Sequence, residues 1–462
     1  MKFDIRISNI IFYLLILFLP TQFGRHFWPD FSYIAGIRID YLSPALYLTD
    51  ILIFLLFVFW LINKIRSKKK EVIIHDSKFM VFSALVVFLI LGILFSKNQA
   101  AGWYGLLKLV ELIFLGFYTA INIKKIKINI VLILLSVGLI FESFLATVQY
   151  LQQSSVDGIF YFFGERTFNG QTPGIANASI GGELFLRPYG TFPHPNVLAG
   201  YLIVVMTMII SKFNPSTKLR TGEQKSKLIK ILFLGSLTFG TIALFLTMSR
   251  IAIVLWMLIV GLWFIQFSVF NLKFKMKYKN LINKNSMKIS NFKLKILTLV
   301  LVASVLFLSP LHSRFTDLKL TDESVTIRQE LIKSSVFMIK ENPIFGVGIN
   351  NYLDQLPYYQ RINNYFTDLQ PVHNIYFLVA AQTGIVGLAF FIWFIFKTYQ
   401  RIKNTTQNSK LQKNLYFINS SSLIIILSSI LILGLFDHYF LTLQQGQLIF
   451  SFTLGLCWIK QS

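Results

Sequence analysis

The sequence predicts an all-α polytopic membrane protein with about twelve transmembrane helices, organised around one large polar loop late in the chain. Composition, the spacing of apolar runs and the placement of Lys and Arg carry that prediction. The 462 residues are 55% hydrophobic and 16% aromatic but only 14% charged, and the mean hydropathy is +0.62. A soluble chain of that length needs far more charge. Apolar stretches long enough, or nearly so, to cross ~30 Å of hydrocarbon fall at 7–20, 45–62, 79–95, 102–121, 130–150 and 195–210. They continue at 229–248, 251–270, 296–311, 375–396, 416–435 and 441–459. Nothing resembles a separate soluble domain, so residues 1–462 read as a single integral-membrane domain.

The net charge of +24 sits in short runs between apolar segments, which is the pattern of cytoplasmic loops rather than of a nucleic-acid interface. Lys64 to Lys70, Lys124 to Lys127, Lys212 to Lys230, the basic loop 271–295 and Lys397 to Lys413 all fall on one side. That side is assigned to the cytoplasm, together with both termini. Loops 21–44, 152–194, 249–250, 312–373 and 436–439 then face outward, and 152–194, rich in Gly, Asn, Ser and Thr, reads as irregular. The first apolar stretch lacks a small-residue cleavage site and is expected to remain as a span. The single cysteine, Cys457, excludes a disulfide framework and a thiolate metal cluster.

The loop 312–373 is the longest polar interruption, and four positions on the outward side could carry chemistry. Arg187 precedes Pro188, Pro193 and Pro195, and Pro195 suits the first turn of a helix whose N–H groups attract anions. Arg250 sits in a hairpin between two spans with almost no loop. Arg328 lies in a segment, 324–340, that reads as a helix ended by Asn342-Pro343. Leu331, Ile332, Ser335 and Ile339 are spaced to share its face, so Arg328 is expected to point toward the membrane-proximal body. His373 stands at the start of a span, and histidine is the side chain best matched to proton transfer near neutral pH. His438 is a second candidate.

Each has a plainer alternative: a snorkelling arginine at Arg187, an interfacial anchor at Arg250, a structural ion pair at Arg328, an interfacial histidine at His373. Lys108 and Glu111, three apart in one span, are spaced to neutralise each other. With Asp50 and Glu142 they suit a rival reading, a proton-coupled transporter or flippase. There is no Asp-x-Asp pair on the outward side, no His/Glu cluster at ligand spacing and no Gly-rich loop ending in Lys-Ser/Thr. The expectation is therefore no metal, no cofactor and no nucleotide.

Four stretches together resemble the O-antigen ligase and polymerase superfamily of bacterial membrane glycosyltransferases. They are Arg187–Gly200, Thr247–Ile251, Thr326–Tyr352 with its Gly346-Val347-Gly348, and Val372–Gly387, which holds His373-Asn374, Tyr376, Thr383-Gly384 and Gly387. The resemblance implies a GT-C-like fold and an undecaprenyl-pyrophosphate-linked glycan as donor. It implies a glycan, lipid or protein acceptor and inverting transfer without a metal. It further implies that Arg187, Arg250 and Arg328 hold the pyrophosphate, that His373 assists the acceptor hydroxyl, and that Asn196 and Asn374 complete the substrate-binding set. His194 and Gln382 depart from the residues usual at their places. Ligase, polymerase and protein O-glycan ligase remain open alternatives at this point.

Overall fold

The computed structural model describes residues 2–66, 77–180, 182–213, 225–277, 323–360, 369–407 and 419–459. The expected span 296–311, most of the basic loop 271–295 and the first residues of the loop 312–373 lie outside the described residues. The described chain is mostly helical. In order, its helices are α1 (Lys2–Phe18), α2 (Leu48–Arg66), α3 (Ser77–Leu94), α4 (Gln99–Asn122), α5 (Ile128–Gln152), α6 (Pro195–Ile210) and α7 (Lys225–Leu246). They continue with α8 (Arg250–Lys277), α9 (Glu323–Glu341), α10 (Tyr352–Tyr359), α11 (Ile375–Gln407), α12 (Ser420–Leu433), α13 (Tyr439–Thr442) and α14 (Gln444–Cys457). Six are long and apolar enough to cross a bilayer, and four shorter apolar helices accompany them. This is a multi-pass helical membrane protein.

α6 is the axis of the bundle. Its sequence is apolar on every side, and 89% of its hydrophobic window is buried, against 22% for α2 and 28% for α11. A helix that is hydrophobic all round belongs in a core, whereas the others keep a lipid-facing stripe. α6 packs on α5, α7, α8, α12 and α14. Pro195 opens it, with the His194 side chain accepting a hydrogen bond from the Asn196 N–H as its N-cap. The turn predicted at Pro195 therefore stands where the sequence puts it.

The loop 152–194 is more ordered than its composition suggests. It forms a 3₁₀ helix, Gly158–Phe163, and a hairpin of β5 and β6, after the four short N-terminal strands β1 (Gly24–His26), β2 (Tyr33–Ile34), β3 (Ile37–Arg38) and β4 (Ala45–Tyr47). β5 (Asn177–Ile180) pairs antiparallel with β6 (Glu183–Leu186). Backbone pairing supplies the order that side-chain hydrophobicity does not announce.

The two glycine motifs of the sequence turn out to be one device. α11 breaks at Gly384, where φ is 68° and ψ −177°, a region open essentially to glycine alone. The break frees backbone groups that the Pro343–Gly348 turn then satisfies. Val347 and Gly348 donate to the carbonyls of Ala381 and Gln382 at 2.8 and 3.0 Å, and Ile385 donates to the Pro343 carbonyl at 2.8 Å. Asn351 exchanges hydrogen bonds with the Asn98 backbone, and Asn350 donates to the Ala101 carbonyl, which fastens the same segment to the start of α4. A Cβ at Gly384 would collide with the Ile344 backbone, on top of the conformational penalty. Gly384→Ala is expected to cost more than about 2 kcal/mol, read as a lower melting temperature and fewer monodisperse molecules in detergent.

Lys108 does neutralise Glu111, at 2.8 Å, and it also reaches Asp50 at 2.9 Å. Asp50 further accepts from Gln444 and from the Tyr47 N–H. The charges bind α2, α4 and α14 together as a structural cross-brace.

Candidate active site

The ends of α6, α11 and α13 converge with the turn before α8 and with the loop that carries Arg187, and that convergence assembles a continuous polar chain. Arg187, only 8% exposed, gives its Nε–H to the Thr247 carbonyl at 2.7 Å and an Nη2–H to Asn196 Oδ1 at 2.7 Å. Asn196 Nδ2 donates to Asp437 Oδ2 at 3.0 Å. Asp437 Oδ1 accepts from the His438 backbone N–H at 2.9 Å and lies 3.3 Å from His373 Nδ1. His373 Nε2 then faces Gln370 Oε1 at 3.2 Å. Arginine and amide come from one stretch of the sequence, and the carboxylate and imidazole from two others.

The arginine is positioned from behind. Gly190 turns with φ +61°, and its N–H and that of Tyr189 bond to Gln149 Oε1. Thr191 gives both its N–H and its hydroxyl to the buried carboxylate of Glu142. Glu142 thus helps to hold the Arg187 loop.

Electrostatics fix the protonation states. Burial works against ionisation of Asp437, but the hydrogen bond and positive field of His373, with His438 and His194 nearby, hold its carboxyl well below the usual carboxylate range. Burial pushes His194 down to about 3, with Arg187 adding to the effect. Burial likewise lowers His438 to about 3 despite Asp437, with His373 and Arg328 opposing a second charge. Both histidines are neutral at physiological pH. His438 Nδ1 lies 2.6 Å from Thr442 Oγ1, whose hydroxyl is also 3.2 Å from the His438 carbonyl, and Nε2 lies 3.9 Å from Asp437 Oδ1.

These shifts carry a sign for stability. In the unfolded chain the two histidines take protons near pH 6.5, whereas the folded protein refuses them down to about 3. Unfolding therefore absorbs protons across that window, and stability falls as pH falls through it. The melting temperature in detergent is expected to drop from pH 7 to pH 4, and to drop less in His194→Gln.

Of the sequence candidates, Arg187, Asn196 and His373 are joined directly. Arg250 opens α8 three residues beyond the carbonyl that Arg187 holds. The expectation for Arg328 needs correction: it is exposed. Full burial on α9 falls at Leu331, Ser334, Ser335 and Met338, and in the turn before them Ile327 packs on the same core while Arg328 beside it faces outward. Its charge makes a minor contribution to keeping His194 and His438 neutral. Asn374 is an N-cap: its Oδ1 accepts from the Tyr376 and Phe377 N–H groups and its Nδ2 donates to the Leu435 carbonyl.

Asp437, Gln370 and Tyr41 were missed. Tyr41, from the first loop, packs edge-on against His438 with ring centroids 5.6 Å apart. The only local signal was the Asp437-His438 pair closing an apolar run. Nor did sequence spacing show that His373, Asp437 and His438 bring three potential ligand atoms within 4.8 Å of one another. Both Asp437 oxygens already accept hydrogen bonds from the protein, and Arg187 is one amide away.

Residues 234–392 match the family model described as O-antigen ligase. That match supports the resemblance of the chain to the O-antigen ligase and polymerase superfamily. The matched stretch holds Arg250, Arg328, His373 and Asn374, while Arg187, Asn196 and Asp437 lie outside it and are added by the fold. No curated protein matches the chain.

Proposed function

We propose that this chain is a glycosyltransferase of the O-antigen ligase and polymerase superfamily that moves a glycan from an undecaprenyl-pyrophosphate carrier to an acceptor hydroxyl at the outward face of a bacterial inner membrane. The observation that carries the reading is the chain from Arg187 through Asn196 and Asp437 to His373, with Arg250 three residues beyond the Thr247 carbonyl that Arg187 holds. Asp437, ionised and fixed by Asn196 and the His438 N–H, orients the His373 ring through Nδ1. That leaves Nε2 to meet an acceptor hydroxyl at the place Gln370 now occupies.

In the reaction the acceptor oxygen bonds to the anomeric carbon from the face opposite the leaving group. The carbon–phosphate-oxygen bond breaks with its electron pair going to the pyrophosphate, and the hydroxyl proton passes to His373. The configuration inverts. Charge growing on the pyrophosphate is met by guanidiniums, which bond phosphate oxygens in a fork and keep their charge in a low-dielectric site. Asn196 and Asn374 act as positioning residues, since each side chain is spent on protein partners. The guanidiniums do the work a divalent ion does elsewhere, so the His373–Asp437–His438 cluster serves as an acid–base group.

The test is release of undecaprenyl pyrophosphate by the purified protein in nanodiscs, given a lipid-linked glycan, EDTA and a panel of acceptors. Release is expected to depend on an acceptor and to be unchanged by EDTA. The productive acceptor separates ligase from polymerase or protein O-glycan ligase. Abolition by EDTA and rescue by a divalent ion would assign the cluster to a metal instead. Donor translocation without release would favour the transporter.

A further inference from the structure

The 3₁₀ helix Gly158–Phe163 has the sequence Gly-Ile-Phe-Tyr-Phe-Phe and shows most of its apolar surface. Ile159, Tyr161 and Phe162 are 66%, 65% and 63% exposed. Phe160 and Phe163 instead pack on Phe141 of α5, with centroids 6.1 and 5.4 Å away. The segment is pinned rather than loose. The buried Glu165 carboxylate accepts from the Val156 and Asp157 N–H groups, both at 2.8 Å, and from Gln149 at 2.7 Å.

Two neighbours give this surface a direction. On one side it continues the stripe of α5 on which Phe141, Phe144 and Leu151 stand, with Phe144 56% and Leu151 75% exposed. That stripe belongs to a helix long and apolar enough to cross the bilayer. On the other side stands Arg166, exposed, with Nη1 3.5 Å from the Pro193 carbonyl. Pro193 precedes His194 and Asn196, and Arg166 also bears electrostatically on Tyr41, which packs on His438. Hydrocarbon, then a guanidinium, then the polar chain of the site is the order of groups in a lipid-linked pyrophosphate. Large exposed apolar patches mark interaction surfaces, and the charge beside this one selects an anionic lipid.

Resting on the transferase reading, we propose that Ile159, Tyr161 and Phe162 cradle the isoprenoid chain of the donor while Arg166 takes its pyrophosphate on the way to Arg187.

The test needs no turnover. In a Cys457→Ser background, which removes the sequence's one cysteine, Phe162→Cys carries an environment-sensitive NBD label in nanodiscs. Gly170→Cys, exposed in the same loop, carries the control. Undecaprenyl pyrophosphate is expected to shift the emission at position 162 saturably, and undecaprenol at equal concentration not to. Arg166→Ala should weaken that binding about tenfold, near 1.4 kcal/mol, and Arg166→Lys much less. No shift at 162, or an equal shift from undecaprenol, would leave a face that meets only bulk lipid and would overturn the proposal. A saturable shift in a protein that transfers nothing would retain the lipid site and reject the transferase.

Discussion

His373→Ala is expected to lower glycan transfer by about 10²-fold or more, the scale of losing a positioned acid–base group. The loss should fall on kcat, because His373 acts on the acceptor proton as the bond forms. Its side chain is 17% exposed, and donor binding by the arginines should survive. Measuring undecaprenyl-pyrophosphate release under saturating donor checks this. A variant that transfers at the wild-type rate would remove His373 from the chemistry and, with it, the reason for Asp437 to be ionised there.

The second large effect is expected at Asp437. Asp437→Asn keeps the shape but replaces an ionised acceptor by an amide that can donate, and the His373 ring then settles in the other tautomer with Nε2 protonated. Transfer should fall by about 10²–10⁴-fold, the upper end taken from hydrolases in which an aspartate holds a catalytic histidine. The variant distinguishes positioning from mere structure through pH. If Asp437 orients His373, the acid limb of the activity profile should move to lower pH in the variant, because losing the carboxylate makes the imidazole a weaker base, while the plateau stays low because the wrong tautomer persists at every pH. A uniform loss at every pH, accompanied by a lower melting temperature, would mean that Asp437 only tethers Asn196 and the His438 turn.

The arginines separate by geometry. Arg187 uses Nε and Nη2 on Thr247 and Asn196, so it is both a brace and a charge. Arg187→Lys keeps the charge and loses the fork, and it should disturb Asp437 through Asn196. Arg328 is exposed and makes no hydrogen bond to the described members of the cluster, so Arg328→Lys should be the better tolerated of the two.

Much of this was legible in the chain itself. The helical class followed from the apolar runs, and the helix start at Pro195 followed from proline and its cap. The end of α9 followed from Asn342-Pro343, and the mutual neutralisation of Lys108 and Glu111 followed from a spacing of three. These are local properties, set by backbone sterics and by what hydrocarbon tolerates. His373 and Arg187 also stood out locally, because a histidine or arginine where a span meets its loop is costly enough to be noticed.

The tertiary structure decided what those residues touch. Asp437 lies 64 positions from His373 and 241 from Asn196, and no periodicity links such distances. It became the centre of the site because α6, α11 and α13 bring their ends together. Arg328 shows the same limit from the other direction: helical spacing put it on the face of Leu331 and Ser335, but in its own turn Ile327 is the residue that packs, and that is a property of the neighbours. The glycines of the Gly346-Val347-Gly348 and Thr383-Gly384 motifs were visible as permissive points. Only the fold showed that they are two halves of one backbone clasp, because unsatisfied amides and carbonyls find partners in space rather than along the chain.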